Sequence, residues 1–141
     1  MSGYLLDTNI LSEGVKLPPN PRVKAWVDAT DEQLLFVSAL TLGEIRIGIE
    51  SLPPSSRRAI LESWLMHDLA IRFAGRILLV DQETADRWGH LAGEARREGR
   101  PLSVVDGLLA ATALQRNLTL VTRNTRDVAR TGVPFFNPWA S

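Results

Sequence analysis

Four short apolar runs, each separated from the next by helical stretches, constrain this chain more than any other feature. Tyr4-Leu5-Leu6, Leu34-Leu35-Phe36-Val37, Ile77-Leu78-Leu79-Val80 and Thr119-Leu120-Val121 are too short for helices and lack the polar alternation of a strand with one wet face. They read as buried strands, and Val133-Pro134-Phe135-Phe136 adds a short last one. Between them apolar residues recur at helical spacing. Buried strands alternating with helices specify an α/β fold with a central parallel sheet of about five strands, flanked by helices. A length of 141 residues fits one domain, 1–141, with a core of its own.

The helix limits follow from caps and breakers. Asn20-Pro21 supplies an N-cap and a first-turn proline, after which Val23, Trp26 and Val27 share a face. Leu42, Ile45, Ile49 and Leu52 form one stripe, stopped by Pro53-Pro54. Ser55 to about Phe73 is a helix carrying Ile60, Leu61, Trp64, Leu65 and Leu69 on its apolar side. Asp81 caps a helix running to about Glu98, Gly99-Arg100-Pro101 breaks the chain, Ser103 opens a helix through Leu114, and a short helix begins near Asn124. Asp7-Thr8-Asn9 reads as a turn after the first strand.

In parallel sheets the carboxyl ends of the strands face the helix N-termini that follow, and ligands bind along that edge. Acids just after a strand, or early in a helix, can therefore meet although far apart in sequence. Asp7 directly follows the first strand. Asp106 lies three residues after Ser103, Asp127 three after Asn124, and Glu44 three after Thr41, in a helix whose start can lie as early as Ser38. Each of the last three positions is also explained by capping, because the helix dipole and the capping box both favour an acid there.

Their surroundings weigh against capping alone. Asp106 is the one charge in Ser103-Val104-Val105-Asp106-Gly107-Leu108-Leu109-Ala110-Ala111-Thr112-Ala113, and Glu44 lies in a similarly apolar helix. A charge there is costly unless paired or bound to metal. Several carboxylates on one edge repel one another, and a divalent cation relieves them; an all-oxygen donor set selects magnesium or manganese rather than zinc. Asp81 is the contrast: it opens an amphipathic surface helix with Asp86, Arg87, Arg96 and Arg97 and reads as an N-cap.

Composition removes other chemistries. The absence of cysteine excludes disulfides, thiolate zinc sites and a cysteine nucleophile, and fits a reducing cytoplasm. The formal net charge of zero means that any nucleic-acid contact must come from local patches. Lys16 and Lys24 are the only lysines, so arginines would supply those patches, with Arg46, Arg123 and Arg126 near the acids; solvation of the surface explains each equally well. No basic segment followed by a long apolar one opens the chain, and no apolar run approaches the roughly 20 residues that cross a bilayer. A cytoplasmic protein without membrane contact is the expectation. His67 and His90 lie in mid-helix away from every candidate acid, so a Ser-His-Asp device finds no support.

Leu5-Leu6-Asp7-Thr8-Asn9, Thr41-Leu42-Gly43-Glu44-Ile45, Asp106-Gly107-Leu108-Leu109-Ala110-Ala111-Thr112-Ala113, Leu120-Val121-Thr122-Arg123-Asn124-Thr125-Arg126-Asp127 and the closing Asn137-Pro138-Trp139 occur in an order and spacing that covers essentially the whole chain. Together they resemble PIN-domain ribonucleases, in particular the VapC-type toxins of type II toxin–antitoxin systems. The resemblance implies a five-stranded parallel sheet with the first strand central and next to the fourth. It implies a Mg2+- (or Mn2+-) dependent endoribonuclease that leaves a 5′-phosphate and a 3′-hydroxyl. Asp7, Glu44 and Asp106 match its three core acids, with Asp7 and Asp106 holding the metal. The fourth position, an aspartate or asparagine in the family, is Asn124, and Asp127 also matches a common family acid; which of the two completes the site stays open. Thr8 and Thr122 occupy places where small hydroxyls would hold the carboxylates or a water.

RNA as substrate, a homodimer and a cognate antitoxin laid over the acidic site are implied as partners. The face carrying Trp64, Leu65 and Leu69 reads first as core packing and second as a candidate surface for the antitoxin. Other readings fare less well. An aspartyl-phosphate phosphatase usually carries a second aspartate where this chain has Asn9, and a response-regulator-like phosphoacceptor needs a paired acid and a late lysine that are missing. A catalytically silent PIN-like domain that acts only as a protein-binding module remains as the alternative.

Overall fold

The computed structural model describes residues 3–140. Its elements, in chain order, are β1 (Tyr4–Leu6), α1 (Thr8–Glu13), α2 (Pro21–Ala29), β2 (Leu35–Ser38), α3 (Ala39–Glu50), α4 (Ser56–Ser63), α5 (Ala70–Arg72), β3 (Ile77–Leu78), α6 (Gln82–Arg97), α7 (Val104–Arg116), β4 (Thr119–Val121), α8 (Thr125–Val128) and β5 (Phe135–Phe136). A π-helical turn, Trp64–Leu69, joins α4 to α5, so the single helix expected from Ser55 to Phe73 exists with a wide turn in its middle.

The strands form one sheet in the order β3-β2-β1-β4-β5, and every pairing is parallel. Leu5 pairs with Phe36 on one side and Leu120 on the other. The expected five strands, with β1 central beside β4, are therefore found. After β1 the chain moves to β2 and β3; after β4 it moves the opposite way to β5. The crevice between the carboxyl ends of β1 and β4 is thus the place where the winding reverses, the position in such sheets where ligands bind.

Alternation along each strand feeds two cores. Leu6, Leu35, Val37 and Val121 point to one face and pack with Ile10, Ile45, Ile49, Leu65, Leu69 and Phe73. Leu5 and Leu120 point to the other and pack with Leu109, Ala110, Ala113, Val128 and Val133. Both faces are covered, which is why the strands read as unbroken apolar runs.

Two sequence expectations change. Asp7-Thr8-Asn9 is not a plain turn: Asp7 N-caps α1, accepting the Thr8 N–H at 2.6 Å. The strand seen as Ile77–Val80 shortens to Ile77–Leu78, because β3 is an edge strand paired only with β2. Gly3 explains how closely β1 approaches its neighbour: a Cβ there would lie 2.5 Å from the Leu34 carbonyl oxygen and 2.8 Å from the Phe36 ring. The caps Asn20, Asp81 and Ser103 lie where the sequence places them, each accepting backbone N–H groups of the first turn.

Candidate active site

The residues singled out in sequence meet at the carboxyl edge of the sheet, linked by a run of hydrogen bonds between side chains. Asp7, at the end of β1, is buried with 8% exposure. Its Oδ2 accepts the Thr122 hydroxyl at 2.7 Å, just beyond β4, while Oδ1 takes the Thr8 N–H. The Thr8 hydroxyl turns the other way and donates to Glu44 Oε1 on α3 at 2.6 Å. On the far side, Thr122 Oγ1 accepts the Asn124 N–H at 3.0 Å. The Asn124 amide Nδ2 donates to Asp106 Oδ2 at 3.0 Å and stands 3.4 Å from Asp127 Oδ2. Asp7, Glu44, Asp106, Asn124 and Asp127 are all therefore joined, through two threonines and one amide.

The geometry decides between capping and site for each acid. Glu44 is no capping acid: Ser38, not Thr41, caps α3 and accepts the Leu40 N–H, which puts Glu44 in the second turn. Asp106 does both. Its N–H donates to the Ser103 hydroxyl at 3.1 Å, and its carboxyl faces the Asn124 amide. Asn124 departs from the expected capping role, since its side chain makes no cap bond to α8. The amide serves the two aspartates instead, because a donor between two carboxylates relieves more unfavourable charge than one more cap bond would supply.

Charge in the site is uncompensated. Among the described residues none of Asp7, Glu44, Asp106 or Asp127 enters an ion pair. Burial pushes the Asp7 carboxyl above the usual range; the Thr122 and Thr8 hydrogen bonds oppose this and the Glu44 charge adds to it. Asp106 is likewise raised, by burial first and then by Asp7 and Asp127, against the Ser103 hydrogen bond. The acids thus feel one another through space as well as through the hydrogen-bonded run.

A hard divalent cation suits this donor set in its chemistry: oxygen donors only, and excess negative charge with no arginine or lysine paired to it. The side chains are not drawn together into a ligand set, however. Among the described residues no group of three or more histidine, aspartate or glutamate side chains is spaced to hold a metal.

Of the three arginines named as possible RNA contacts, Arg46 is occupied by Glu62 at 2.8 Å and Glu50 at 3.5 Å, while Arg123 and Arg126 are exposed. His67 and His90 stay away from the site; His90 faces Asp86 at 3.5 Å on α6. The face proposed for a partner at Trp64, Leu65 and Leu69 is corrected. Leu65 and Leu69 belong to the core, and only Trp64 is half-exposed, packed against it. The reading of this stripe as core packing, the other one the sequence allowed, is the one found.

Sequence reasoning passed over two buried charges. Glu13 is 5% exposed and accepts the Asn20 N–H at 2.7 Å and Lys16 Nζ at 3.1 Å. Arg76 is 9% exposed and donates to the carbonyls of Glu32 and Leu35, both at 2.6 Å, and of Arg72. Only the spacing of Glu13 from Lys16 hinted at either; Arg76 bonds the backbone carbonyls of Glu32 and Leu35 and the Glu32 carboxylate at 3.3 Å, partners far away in sequence that no local pattern reveals.

Residues 4–133 match the sequence model of the PIN domain. Over 135 residues the chain is 37% identical to the toxin FitB of Neisseria gonorrhoeae, across 96% of this chain and 97% of that one. It is 34% identical to the VapC ribonuclease Y4jK of Sinorhizobium fredii, across 96% of each. The crystal structure of FitAcB from Neisseria gonorrhoeae contains a chain similar to this one at a TM-score of 0.91 and 36% identity, covering 98% of this chain and 99% of that one.

Proposed function

The chain belongs to the PIN-domain family, and from that premise we propose that it is an endoribonuclease acting as the toxin of a toxin–antitoxin pair. The observation that carries the reading is the linked set of side chains at the β1–β4 crevice, with four carboxylates and, among the described residues, no cation paired to any of them. A site of excess negative charge cannot attract an RNA phosphate unaided, so the acids must first be neutralised. The naming of the S. fredii relative as a ribonuclease supports RNA as substrate.

Asp7 and Asp106 are the residues that would hold Mg2+ or Mn2+. Such an ion, when bound, lowers the pKa of the attacking water and offsets charge developing on the phosphoryl oxygens. The chain's own groups do the rest. Thr8 and Thr122 hold the Asp7 carboxylate from both sides, and the Thr8 hydroxyl holds Glu44, which would complete the cluster or orient a water. Asn124 Nδ2 bridges Asp106 and Asp127, easing their repulsion without adding charge. As partners we propose an antitoxin and a second copy of the chain. Exposed Ile47 and Val80, with Val105, line an apolar hollow beside Glu44 that supports self-association.

Replacing Asp7 with Asn keeps the size and shape of the side chain and removes the charge. The purified variant is expected to lose RNA cleavage by at least about a hundredfold, measured by mapping cleavage sites in total RNA with the wild type beside it. Undiminished cleavage by the variant would remove Asp7 from the mechanism. One observation favours the second reading, a catalytically silent domain that only binds a partner: among the described residues no three acids converge on one point. That reading predicts no metal-dependent rise in thermal stability.

A further inference from the structure

Arg123 lies between two members of the site: Thr122, whose hydroxyl serves Asp7, and Asn124, whose amide serves Asp106. A guanidinium so placed, beside four unpaired carboxylates, is expected to pair with one of them. It does not. Among the described residues it forms no ion pair, and its Cζ sits over the indole ring of Trp139, 5.2 Å from the ring centre.

Trp139 is itself held on several sides. Its carbonyl accepts Arg22 Nη1 at 3.3 Å and its N–H donates to Asn137 Oδ1 at 2.9 Å. Glu13, the carboxylate at the end of α1 whose pKa is lowered first by the Asn20 N–H, also feels the Trp139 side chain. The ring packs against the core beneath the sheet. Two backbone contacts and packing on the core therefore hold the indole, and the indole supports one face of an exposed guanidinium. Stacking uses that face and leaves the N–H donors in the guanidinium plane free, in the fork geometry that matches a phosphate.

We propose that Arg123, positioned by Trp139, binds a phosphodiester of single-stranded RNA adjacent to the bond that is cut. The proposal rests on the ribonuclease reading and extends it to a residue outside the acidic set. If Arg123 paired with the acids it would cancel the charge that a cation has to meet. Held on Trp139 instead, it is left for an anion that arrives with the substrate. An acidic segment of a partner protein is the other possible anion. RNA is favoured because Arg123 follows β4 at the same crevice as Asp7 and Asp106, where a phosphodiester in reaction must lie.

The test uses the full chain with saturating Mg2+ and an RNA made cleavage-resistant by phosphorothioate linkages, so that binding is read apart from cleavage with the acids neutralised. Affinity for a short fluorescent single-stranded RNA is measured by anisotropy over a range of salt, for wild type, R123Q, W139F and W139L. R123Q is expected to bind about tenfold or more weakly, the loss of one charge-assisted contact. Its plot of log affinity against log salt should be shallower by about 0.7, one phosphate contact on a single strand. W139F keeps a ring face and should behave as wild type, whereas W139L should resemble R123Q at unchanged fold, checked by circular dichroism.

Equal affinity and equal salt slope for R123Q and wild type overturn the proposal while leaving the ribonuclease reading intact. If W139L matches wild type while R123Q does not, the positioning role of Trp139 is overturned. R123Q that binds RNA normally but loses an acidic partner protein assigns the arginine to that partner and overturns the RNA contact. A wild type that neither binds nor cleaves RNA removes both the proposal and the function on which it stands.

Discussion

Two carboxylates in this chain respond to folding in opposite senses, and the difference separates function from architecture. The Asp7 carboxyl is raised, chiefly by burial. A raised group contributes stability that is present below its unfolded value, near 3.8, and is lost as pH rises through the folded value. Glu13 is lowered, first by the Asn20 N–H and then, against burial, by Lys16 and Trp139. Its contribution is present above 4.5 and is lost as pH falls through the folded value. Thermal melts of Asp7→Asn and Glu13→Gln across pH, in chelator, should therefore diverge. At neutral pH Asp7→Asn should melt above wild type, by roughly 3 °C for each kcal/mol of relieved desolvation, and the gap should close in acid. Glu13→Gln should melt below wild type at neutral pH and converge with it in acid. Two variants that shift the same way at neutral pH would contradict the assignment.

At the level of elements, the site depends on how α6 lies on α7. Gly107, next to Asp106, is buried, and a Cβ there would stand 2.9 Å from Trp88 Cδ1 and 3.0 Å from its Nε1. An indole ring cannot yield as a flexible side chain does, so Gly107→Ala must part the helices or turn the ring. Urea unfolding should show a loss of about 1–3 kcal/mol, and cleavage by the folded fraction should drop as Asp106 shifts. A midpoint equal to wild type would mean that Trp88 turns aside freely. Element boundaries were legible wherever a cap or a breaker marked them: Asn20-Pro21, Asp81, Ser103 and Pro53-Pro54 all act as their chemistry requires. The helix α1 escaped notice because it has six residues and its cap is Asp7, a residue already explained by function. The π turn at Trp64–Leu69 escaped because its residues suit an ordinary helix; the wider turn is a product of packing.

For the whole molecule, the question is whether the crevice takes up a cation. A group that binds the folded state alone raises stability by about 2.7 kcal/mol at a hundredfold excess over its dissociation constant. Mg2+ or Mn2+ should accordingly raise the melting temperature of the wild type, and Asp7→Asn and Asp106→Asn should lose most of that rise. A wild type indifferent to both ions would favour the silent binding module. The chain by itself determined the layered α/β architecture, the identity of the acids and their place at strand ends and early helical turns. Those follow from periodicity, caps and the cost of charge among apolar residues, all of which are local. Tertiary structure alone decided how the acids are joined. Thr8 turned to Glu44 across 36 positions and Thr122 turned to Asp7 across 115. Asn124 spans Asp106 and Asp127 rather than capping its own helix, and Arg123 lies on Trp139 rather than on a carboxylate. Each of these is a choice between partners of similar chemistry, and only the distances set by parallel pairing of β1 with β4 select one over the other.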